Sequence, residues 1–439
     1  MPKKKTALTI EERLQQALVP AEEQPYEVPE NWVWVRLIGN VNLCLDGYRK
    51  PINSNERAKR VGNVPYYGAT GQVGWIDDYL TNEHLVLLGE DGAPFLDLLK
   101  DKAYVIFGKA WVNNHAHILK SCFGEIGNVF LMHYLNTVDY KDFVKGTTRL
   151  KLTQGSMQLM PFPLPPLSEQ QRIVKRIEEL FAKLDEAKER LQEAVDSFAV
   201  RKAAILHKAF TGELIGKQVT ELVPLENLVD LIKIGPFGSS LHESDYIENG
   251  IPLVNPKHIV QQRIVPQSKI SISDEKAEEL SSYKLKENDI VLGRRGEMGR
   301  CAPISNREEN WICGTGSMII RLKKEYDAKL YSLILGSQAT VTYLENSAVG
   351  STLKNLNEKI VRKIPVPQFS NEEQHEIVRL IDDLLARERA AQQATEQALA
   401  SIDLMKKSIL ARAFRGELGT NKASEASALE LLRQVLAEN

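Results

Sequence analysis

Two stretches of this chain place apolar residues in steps of four and three, with charge on most of the positions between. In the first the stripe runs through Ile173, Ile177, Leu180, Leu184, Ala187, Leu191, Ala194, Phe198 and Ile205. The second carries a weaker version through Ile377, Ile381, Leu384, Ala391, Ala398, Ile402, Met405 and Ile409, interrupted by Glu388 and Thr395. Sustained heptads of this kind predict long helices that bury a narrow seam against a partner. Pro161-Phe162-Pro163-Leu164-Pro165-Pro166 and Pro365-Val366-Pro367 cannot continue a helix or a central strand, so each marks an extended entry. Ser168 with Gln171 three residues on reads as a capping box, with Glu169 at the positive end of the dipole; Asn371 and Gln374 take the same places in the second stretch. Gly212 and Gly416 suit left-handed C-caps. The predicted helices cover 168–211 and 372–415, each roughly 60 Å long at the helical rise.

The second stretch is a copy of the first. The segment from Gly146 to Leu214 returns without a gap from Gly350 to Leu418, 204 positions later, sharing Pro161/Pro365, Pro163/Pro367, Glu169/Glu373, Gln170/Gln374, Ile173/Ile377, Ile177/Ile381 and Leu180/Leu384. The copies end alike, in Ala209-Phe210-Thr211-Gly212-Glu213-Leu214 and Ala413-Phe414-Arg415-Gly416-Glu417-Leu418. The period is several times longer than that of solenoid or propeller repeats. Two arrangements satisfy the stripes: each helix packed on its own globular neighbour, or the two packed on each other. A whole domain lies between them, so the second arrangement favours an antiparallel pair.

The intervening segments, about 30–160 and 217–364, are alike in outline and divergent in detail. Each opens on an apolar-polar phrase, Trp34-Val35-Arg36-Leu37-Ile38-Gly39-Asn40-Val41 and Leu222-Val223-Pro224-Leu225-Glu226-Asn227-Leu228-Val229. Each closes on a small-polar loop, Gly146-Thr147-Thr148 and Gly350-Ser351-Thr352. Leu85-Val86-Leu87-Leu88, Tyr104-Val105-Ile106-Phe107, Asp289-Ile290-Val291-Leu292 and Ser317-Met318-Ile319-Ile320 read as strands between Gly, Asn and Pro turns. The expected class is α+β: two mixed domains separated by two long repeated helices packed as an antiparallel coiled coil with pseudo-two-fold symmetry. The divisions fall at 1–29 (N-terminal tail), 30–160 (first domain), 161–216 (first helix), 217–364 (second domain), 365–418 (second helix) and 419–439 (amphipathic tail). Within that tail, Leu429-Glu430-Leu431-Leu432-Arg433-Gln434-Val435-Leu436 reads either as a docking helix or as a stretch without order in isolation.

Composition narrows the class further. A length of 439 residues exceeds what one core usually organises. Cys44, Cys122, Cys301 and Cys313 include no CxxC pair and no short Cys/His ladder, which points to a reduced, cytoplasmic setting and no zinc site. Met1-Pro2-Lys3-Lys4-Lys5 leads into a polar helix-like stretch, Thr9-Ile10-Glu11-Glu12-Arg13-Leu14, rather than an apolar signal core, and no apolar run is long enough for a membrane span. The net charge of −2 means that any nucleic-acid contact must come from local basic patches. His115-Ala116-His117 invites a metal reading, but no third ligand stands at a recognisable spacing, and a structural role for the pair is preferred. Asn255-Pro256-Lys257 is not the Asn/Asp-Pro-Pro-aromatic tetrad of adenine methyltransferases. No Walker lysine motif and no compact carboxylate–lysine nuclease cluster is visible, so no catalytic residue is assigned.

Alternation of two variable domains with two repeated long helices resembles the specificity (S) subunit of type I restriction-modification enzymes, over nearly the whole chain. The resemblance rests on Pro29-Glu30-Asn31-Trp32-Val33-Trp34-Val35, Pro65-Tyr66-Tyr67-Gly68-Ala69-Thr70-Gly71, Gly235-Pro236-Phe237-Gly238-Ser239-Ser240, Leu292-Gly293-Arg294-Arg295-Gly296-Glu297-Met298-Gly299 and the two Ala-Phe-x-Gly-Glu-Leu endings. It implies that each variable domain is a target-recognition domain reading one half of a bipartite site in double-stranded DNA. It also implies that the helices set the gap between half-sites and bind two methyltransferase subunits, which restriction/translocase subunits join. The resemblance makes the chain a non-catalytic targeting subunit that binds no cofactor itself; S-adenosylmethionine, ATP and Mg belong to the partners.

Candidate DNA contacts are basic, forked or aromatic side chains in loops, because base edges are read by forked donors while phosphate contacts fix register. They are Arg49, Lys50, Arg57, Lys59, Arg60, Tyr66, Tyr67 and Thr70 in the first domain, and Lys257, His258, Arg263, Arg294, Arg295 and Arg300 in the second. For any one of them a solvated surface charge or a shaping turn is the bland alternative. The Tyr66 and Gly235 phrases read equally as phosphate cradles or as plain turns. Lys175, Arg176, Glu178, Glu179, Lys188 and Glu189 on the outer face of the first helix suit either solvent or docking. The alternatives to a targeting subunit are a coiled-coil adaptor joining two ligand- or protein-binding domains, or a divergent self-contained methyltransferase or nuclease.

Overall fold

The computed structural model describes residues 9–237, 240–347 and 355–438. The Gly238-Ser239 part of one phrase, the loop Gly350-Ser351-Thr352 and the Met1–Lys5 segment lie outside them. The chain forms two compact units, Met1–Leu191 with Gln397–Asn439, and Gln192–Glu396.

In the first unit, strand Val33–Arg36 pairs antiparallel with Pro161–Leu164. The second of these suits a two-stranded edge, because Pro163 has no N–H to offer a further neighbour. Between them a four-stranded antiparallel sheet runs in the order Asn42–Cys44, Ala116–Ser121, Leu85–Gly89, Ala103–Ile106. Leu85 to Leu88 are all buried, so the continuous apolar run seen in the sequence is a strand covered on both faces. A second sheet has Val64–Gly68 at its centre, antiparallel to Gly71–Ile76 and parallel to Lys109–Val112.

The second unit repeats this topology. Val223–Pro224 pairs with Pro365–Val366. The main sheet runs Val229–Ile234, Ser317–Leu322, Asp289–Gly293, Cys301–Pro303, and Ile251–Val254 lies antiparallel to Ser271–Ile272 and parallel to Ile312–Cys313. Segments that diverge in sequence therefore share strand order and pairing sense. The phrase Leu222–Val229 is less regular than expected, broken by a short 3-10 turn at Leu225–Asn227.

Each long helix is 44 residues, Leu167–Phe210 and Asn371–Phe414. Their starts sit slightly upstream of the expected caps. The first begins on Pro166, whose carbonyl accepts from the amides of Glu169 and Gln170. The second is capped by Ser370, whose hydroxyl accepts from the Glu373 amide while the Glu373 carboxylate accepts from the Ser370 amide, a capping box one residue earlier than Asn371/Gln374. Gln170 and Gln374 are buried instead, each donating to a carbonyl five residues back, Pro165 and Phe369, at 3.1 Å. Gly212 and Gly416 adopt φ of 80° and 73° as left-handed caps.

The helices pack antiparallel on each other. In the first unit Asp185 meets Lys406 at 2.5 Å, Lys188 meets Asp403 at 3.6 Å, and Lys406 lies over the Phe181 ring. In the second unit Arg201 binds Glu388 at 2.9 Å. Arg201 stands three residues past Phe198 and four before Ile205, so it occupies a seam position, as Glu388 does on the other helix. The polar break in the second stripe is thus answered by a cation in the first. Ile173, Ile177, Phe198, Ile377, Ile381 and Ile402 are buried, while Leu180, Leu184, Leu191, Ile205, Leu384 and Ile409 are half-buried along the same side.

Helix ends do a second job. Ile173, Val174 and Ile177 from the start of the first helix and Leu410, Ala413 and Phe414 from the end of the second lie in one core with Phe130, Tyr134 and Phe162. In the second unit Ala209 joins Ile377, Ile381, Tyr331 and Val366. Both arrangements considered from the stripes are therefore realised, pairing along the shafts and packing on the domains at the ends. Met405 departs from the expected stripe: it is 49% exposed, and Lys406 and Leu410 face inward. The tail helix Ala428–Glu438 buries Leu432 and Leu436 in the first unit's own core against helix Ile10–Ala17, where Arg13 donates to the Leu436 carbonyl at 2.6 Å.

Phe414 is fully buried between Phe130 and Tyr134, at ring distances of 5.1 and 5.3 Å. Phe414→Ala should lower unfolding stability by about 3–5 kcal/mol, whereas Met405→Ala should stay within about 0.5 kcal/mol of wild type. Denaturant titration of both variants checks this; equal losses would restore Met405 to the seam.

Candidate nucleic-acid interface

The first unit's cations divide into engaged and free. Arg49 pairs with Glu90 and, at 2.9 Å, with Asp46; its partners are themselves held by His117, 2.6 Å from Asp46, and by Lys151, 2.8 Å from Glu90. Arg49 is thereby built into the wall of the main sheet. Arg57 lies over the Tyr66 ring at 5.0 Å and Arg60 over Trp111 at 4.6 Å, with Arg60 also bound to Asp77. Tyr66 and Trp111 are register partners on adjacent parallel strands, so short helix Ser54–Lys59 is clasped by two cation–π contacts. Tyr66 is 2% exposed and has no face left for a ligand. Its phrase is a β-hairpin rather than a phosphate loop, with Tyr67 half-buried against Tyr104 and Thr70 exposed at the tip. Lys59 remains exposed, and Lys50, also exposed, holds its Nζ 6.0 Å from the Trp111 ring centroid.

Asp46 illustrates how tightly this wall is made. Burial acts to raise its carboxyl, but the hydrogen bond and charge of His117, the Ile118 amide and Arg49 outweigh that and hold it below its ordinary value. Glu90 behaves alike: burial is outweighed by Lys151 and Arg49. Cys44, Asp46 and His117 stand close enough to hold an ion, yet their chemistry opposes one. Both His117 ring nitrogens are occupied by oxygen partners, Asp46 and the Leu152 carbonyl. Burial and the Asp46 charge push the Cys44 thiol up to about 12, whereas a metal takes the thiolate. His115 turns to Asp91 at 2.7 Å, so the two histidines do not converge on one site.

In the second unit three of the candidates share one corner. Strands Asp289–Gly293 and Cys301–Pro303 are joined by the turn carrying Arg294, Arg295 and Arg300. Arg300 reaches the Pro256 carbonyl at 3.3 Å and pairs with Glu297, and Arg295 donates to Asn355 at 2.9 Å. Arg294 is anchored through its backbone: its amide donates to the Gly316 carbonyl at 2.9 Å and its carbonyl accepts from Leu356 at 2.9 Å. Glycines make this corner possible. A Cβ on Gly235 would stand 2.1 Å from the Gly314 carbonyl, and one on Gly314 would stand 2.2 Å from Asn255 Oδ1. The Gly235 phrase therefore serves close backbone packing, and Phe237 beside it is 60% exposed. Lys257 is exposed, but His258 is 1% exposed, with Nδ1 2.8 Å from the Leu253 carbonyl, and is placed as a core residue.

Arg263 is exposed at hairpin Ile259–Val260/Arg263–Ile264, where a cleft of about 500 Å³ separates it from Phe198, Leu385 and Glu388. The hairpin tip, Gln261 and Gln262, holds φ of 48° and 59°, rarely adopted outside Gly and Asn. Nothing in Val-Gln-Gln-Arg signals this. Trp75, 56% exposed on strand Gly71–Ile76, was likewise missed, as was Lys109 over the Tyr79 ring at 4.8 Å. Burial of the next residue, Ile76, would have placed Trp75 outward by strand alternation.

Cavities recur where each domain meets a helix end. In the first unit about 350 Å³ is lined by Asp403, Lys406, Lys407, Leu410, Met132 and His133; in the second about 490 Å³ is lined by Ala199, Lys202, Ala203, Leu206, Ile334 and Gly336. The four helix positions correspond one for one in the repeat. Among the described residues, no helix is long and apolar enough to cross a membrane.

Because Asp46 and Glu90 have depressed folded values, the stability they contribute is fully present above their unfolded values near pH 4 and is lost as pH falls through the folded ones. Asp46→Asn should therefore melt below wild type by a constant margin between about pH 5 and 7, and the margin should shrink below about pH 4. Calorimetric melting across that range checks it; a margin that widens in acid would reverse the assignment.

The comparisons agree with this architecture. The chain is 29% identical over 316 residues to the Escherichia coli type I restriction enzyme EcoBI specificity subunit, spanning 65% of this chain and 66% of that one. A Haemophilus influenzae protein named for such a subunit is 37% identical over 145 residues, 33% of this chain and about a third, 36%, of that one. The crystal structure of the HsdS subunit from Thermoanaerobacter tengcongensis superposes with a TM-score of 0.59 at 18% identity, over 90% of this chain and all of that one, which shows a shared fold. The family model for the type I restriction modification DNA specificity domain matches twice, at residues 29–196 and 226–399, and the chain belongs to that family.

Proposed function

We propose that this chain is the DNA-reading, non-catalytic subunit of a type I restriction-modification complex, each domain reading one half of a bipartite duplex target. The observation that carries the reading is the combination of one strand topology used twice with different cationic corners. Forked, half-buried arginines in the second unit suit base edges, and exposed Lys50, Lys59, Lys257 and Arg263 suit phosphates. The helices set the unread spacer and carry two copies of one methyltransferase subunit. Support for two copies comes from the paired cavities, since equivalent surfaces bind equivalent partners. S-adenosylmethionine, ATP and Mg act on those methyltransferase and restriction/translocase partners, and the complex works in the cytoplasm, where its DNA is.

Sequencing methylated sites in cells that express the chain with its modification subunits tests the proposal; a bipartite motif is expected, and methylation at a continuous motif or at none would defeat it. Adding one heptad to both long helices in register adds about 10 Å, or about three base-pair steps, so the spacer should lengthen by that amount with both half-sites unchanged. An unaltered spacer in the methylation map would remove the helices from that role.

A further inference from the structure

Most described arginines at the two candidate surfaces already have a partner for the guanidinium. Arg49, Arg60 and Arg300 bind carboxylates, Arg57 covers a tyrosine ring, and Arg295 binds Asn355. Arg294 differs. Its Nε is buried and, among the described residues, has no hydrogen-bond partner, although the backbone on both sides of the side chain is pinned to Gly316 and Leu356. A buried donor on a cation without an acceptor is costly, and the neighbouring Arg295 adds like-charge repulsion. Loss of water around the group, and then Arg295, both act to lower its affinity for the proton. Its Nη pair also makes no hydrogen bond or ion pair among the described residues, so that end of the guanidinium is open to an acceptor from outside the chain.

We infer that Arg294 is a specificity-determining residue that reads a guanine in the half-site of the second domain, its fork donating to O6 and N7 on the major-groove edge. Three features separate this role from a phosphate contact. Phosphate neutralisation needs charge and reach, which exposed Lys257 and Arg263 supply at the same unit's surface. Base reading needs a donor pair held in one orientation, and Arg294 leaves a strand end whose amide and carbonyl are both bonded. Close backbone packing of Gly235 on Gly314, beside the Gly316 carbonyl that holds the Arg294 amide, fixes the base of that corner.

This inference rests on the reading of the chain as a DNA-specificity subunit. The test uses the assembled methyltransferase complex with wild-type chain, Arg294→Lys and Arg294→Ala, and duplexes in which each guanine of the methylated motif is replaced in turn by 7-deazaguanine, which lacks N7. For wild type, one guanine of one half-site should weaken binding by about 5- to 150-fold on replacement. Arg294→Ala removes every donor, so it should bind the normal and modified duplexes alike and methylate sites degenerate at that position, whereas Arg294→Lys, an ammonium without the planar fork, should keep only part of the penalty. Circular dichroism melts of both variants confirm folding.

A modified-guanine penalty that survives in Arg294→Ala overturns the inference, as does a uniform loss in that variant with the salt slope reduced by about one, which marks a phosphate contact. Absence of any bipartite motif for the wild-type complex would sink the underlying reading as well. An intact motif indifferent to Arg294 sinks this inference alone.

Discussion

An amphipathic helix of 44 residues cannot leave its apolar stripe in water, and in this protein the stripe is satisfied in two ways along one helix. Midway, the seam faces the other long helix. At the ends, each helix enters a domain core: the first unit's core takes the start of the first helix and the end of the second, and the second unit's core takes the reverse pair. Burying Ile173, Ile177, Leu410 and Phe414 contributes about 1.5–3 kcal/mol each. Neither domain closes its core with its own residues, so domain stability and helix pairing are one property. Phe414 shows this most directly, lying far along the chain from the Phe130 and Tyr134 rings that enclose it.

Polar residues then hold that arrangement in register. Glu169, at the start of the first helix, accepts from Thr420 at 2.7 Å just beyond the end of the second; Glu373, at the start of the second, binds Lys217 at 2.7 Å just beyond the end of the first. Gln170 and Gln374 repeat their bonds to the proline-rich entries in the same way. These two glutamates and two glutamines occupy two of the positions that survive in both copies. Duplication has kept the groups that join helix to domain, while the corners that face outward have been free to differ. The Arg201–Glu388 pair has a different character, since it sits in the seam, where a polar pair favours one alignment over neighbours shifted by a turn.

Periodicity carried much of this to the reader of the sequence, because heptads, prolines and terminal glycines act locally. It failed where the surroundings of a helix change. Past Ile402 the second helix keeps its partner through Phe181 and Asp185 and meets the first domain as well, so the buried face drifts from the strict heptad to the true helical period; Met405 turns outward and Lys406 lays its stem over Phe181. The caps moved by a residue or two because the helix start belongs to whichever hydroxyl or carbonyl can reach the amides, and Ser370 and Pro166 were nearer. Burial of Tyr66 and His258 was illegible for another reason. Polar and aromatic side chains enter a core only when distant strands bring partners, and Arg57 over Tyr66 or Leu253 beside His258 leave no trace in spacing.

The two candidate surfaces therefore treat cationic side chains in opposite ways. In the first unit arginines stabilise the scaffold: Arg49 neutralises buried Glu90 and half-buried Asp46, and Arg57 and Arg60 cap aromatic rings, leaving outward positions to lysines and to Trp75 and Tyr79. A mobile ammonium is a point charge suited to a phosphate backbone, and an exposed indole offers a flat apolar face that suits a groove wall or a base methyl. In the second unit the scaffold is held by glycine packing and an Asp289–Arg321 pair between neighbouring strands of the main sheet, so an arginine at its corner can remain uncommitted. One topology thus accommodates two dispositions of cationic side chains. The choice between them follows from which cations the fold itself must use.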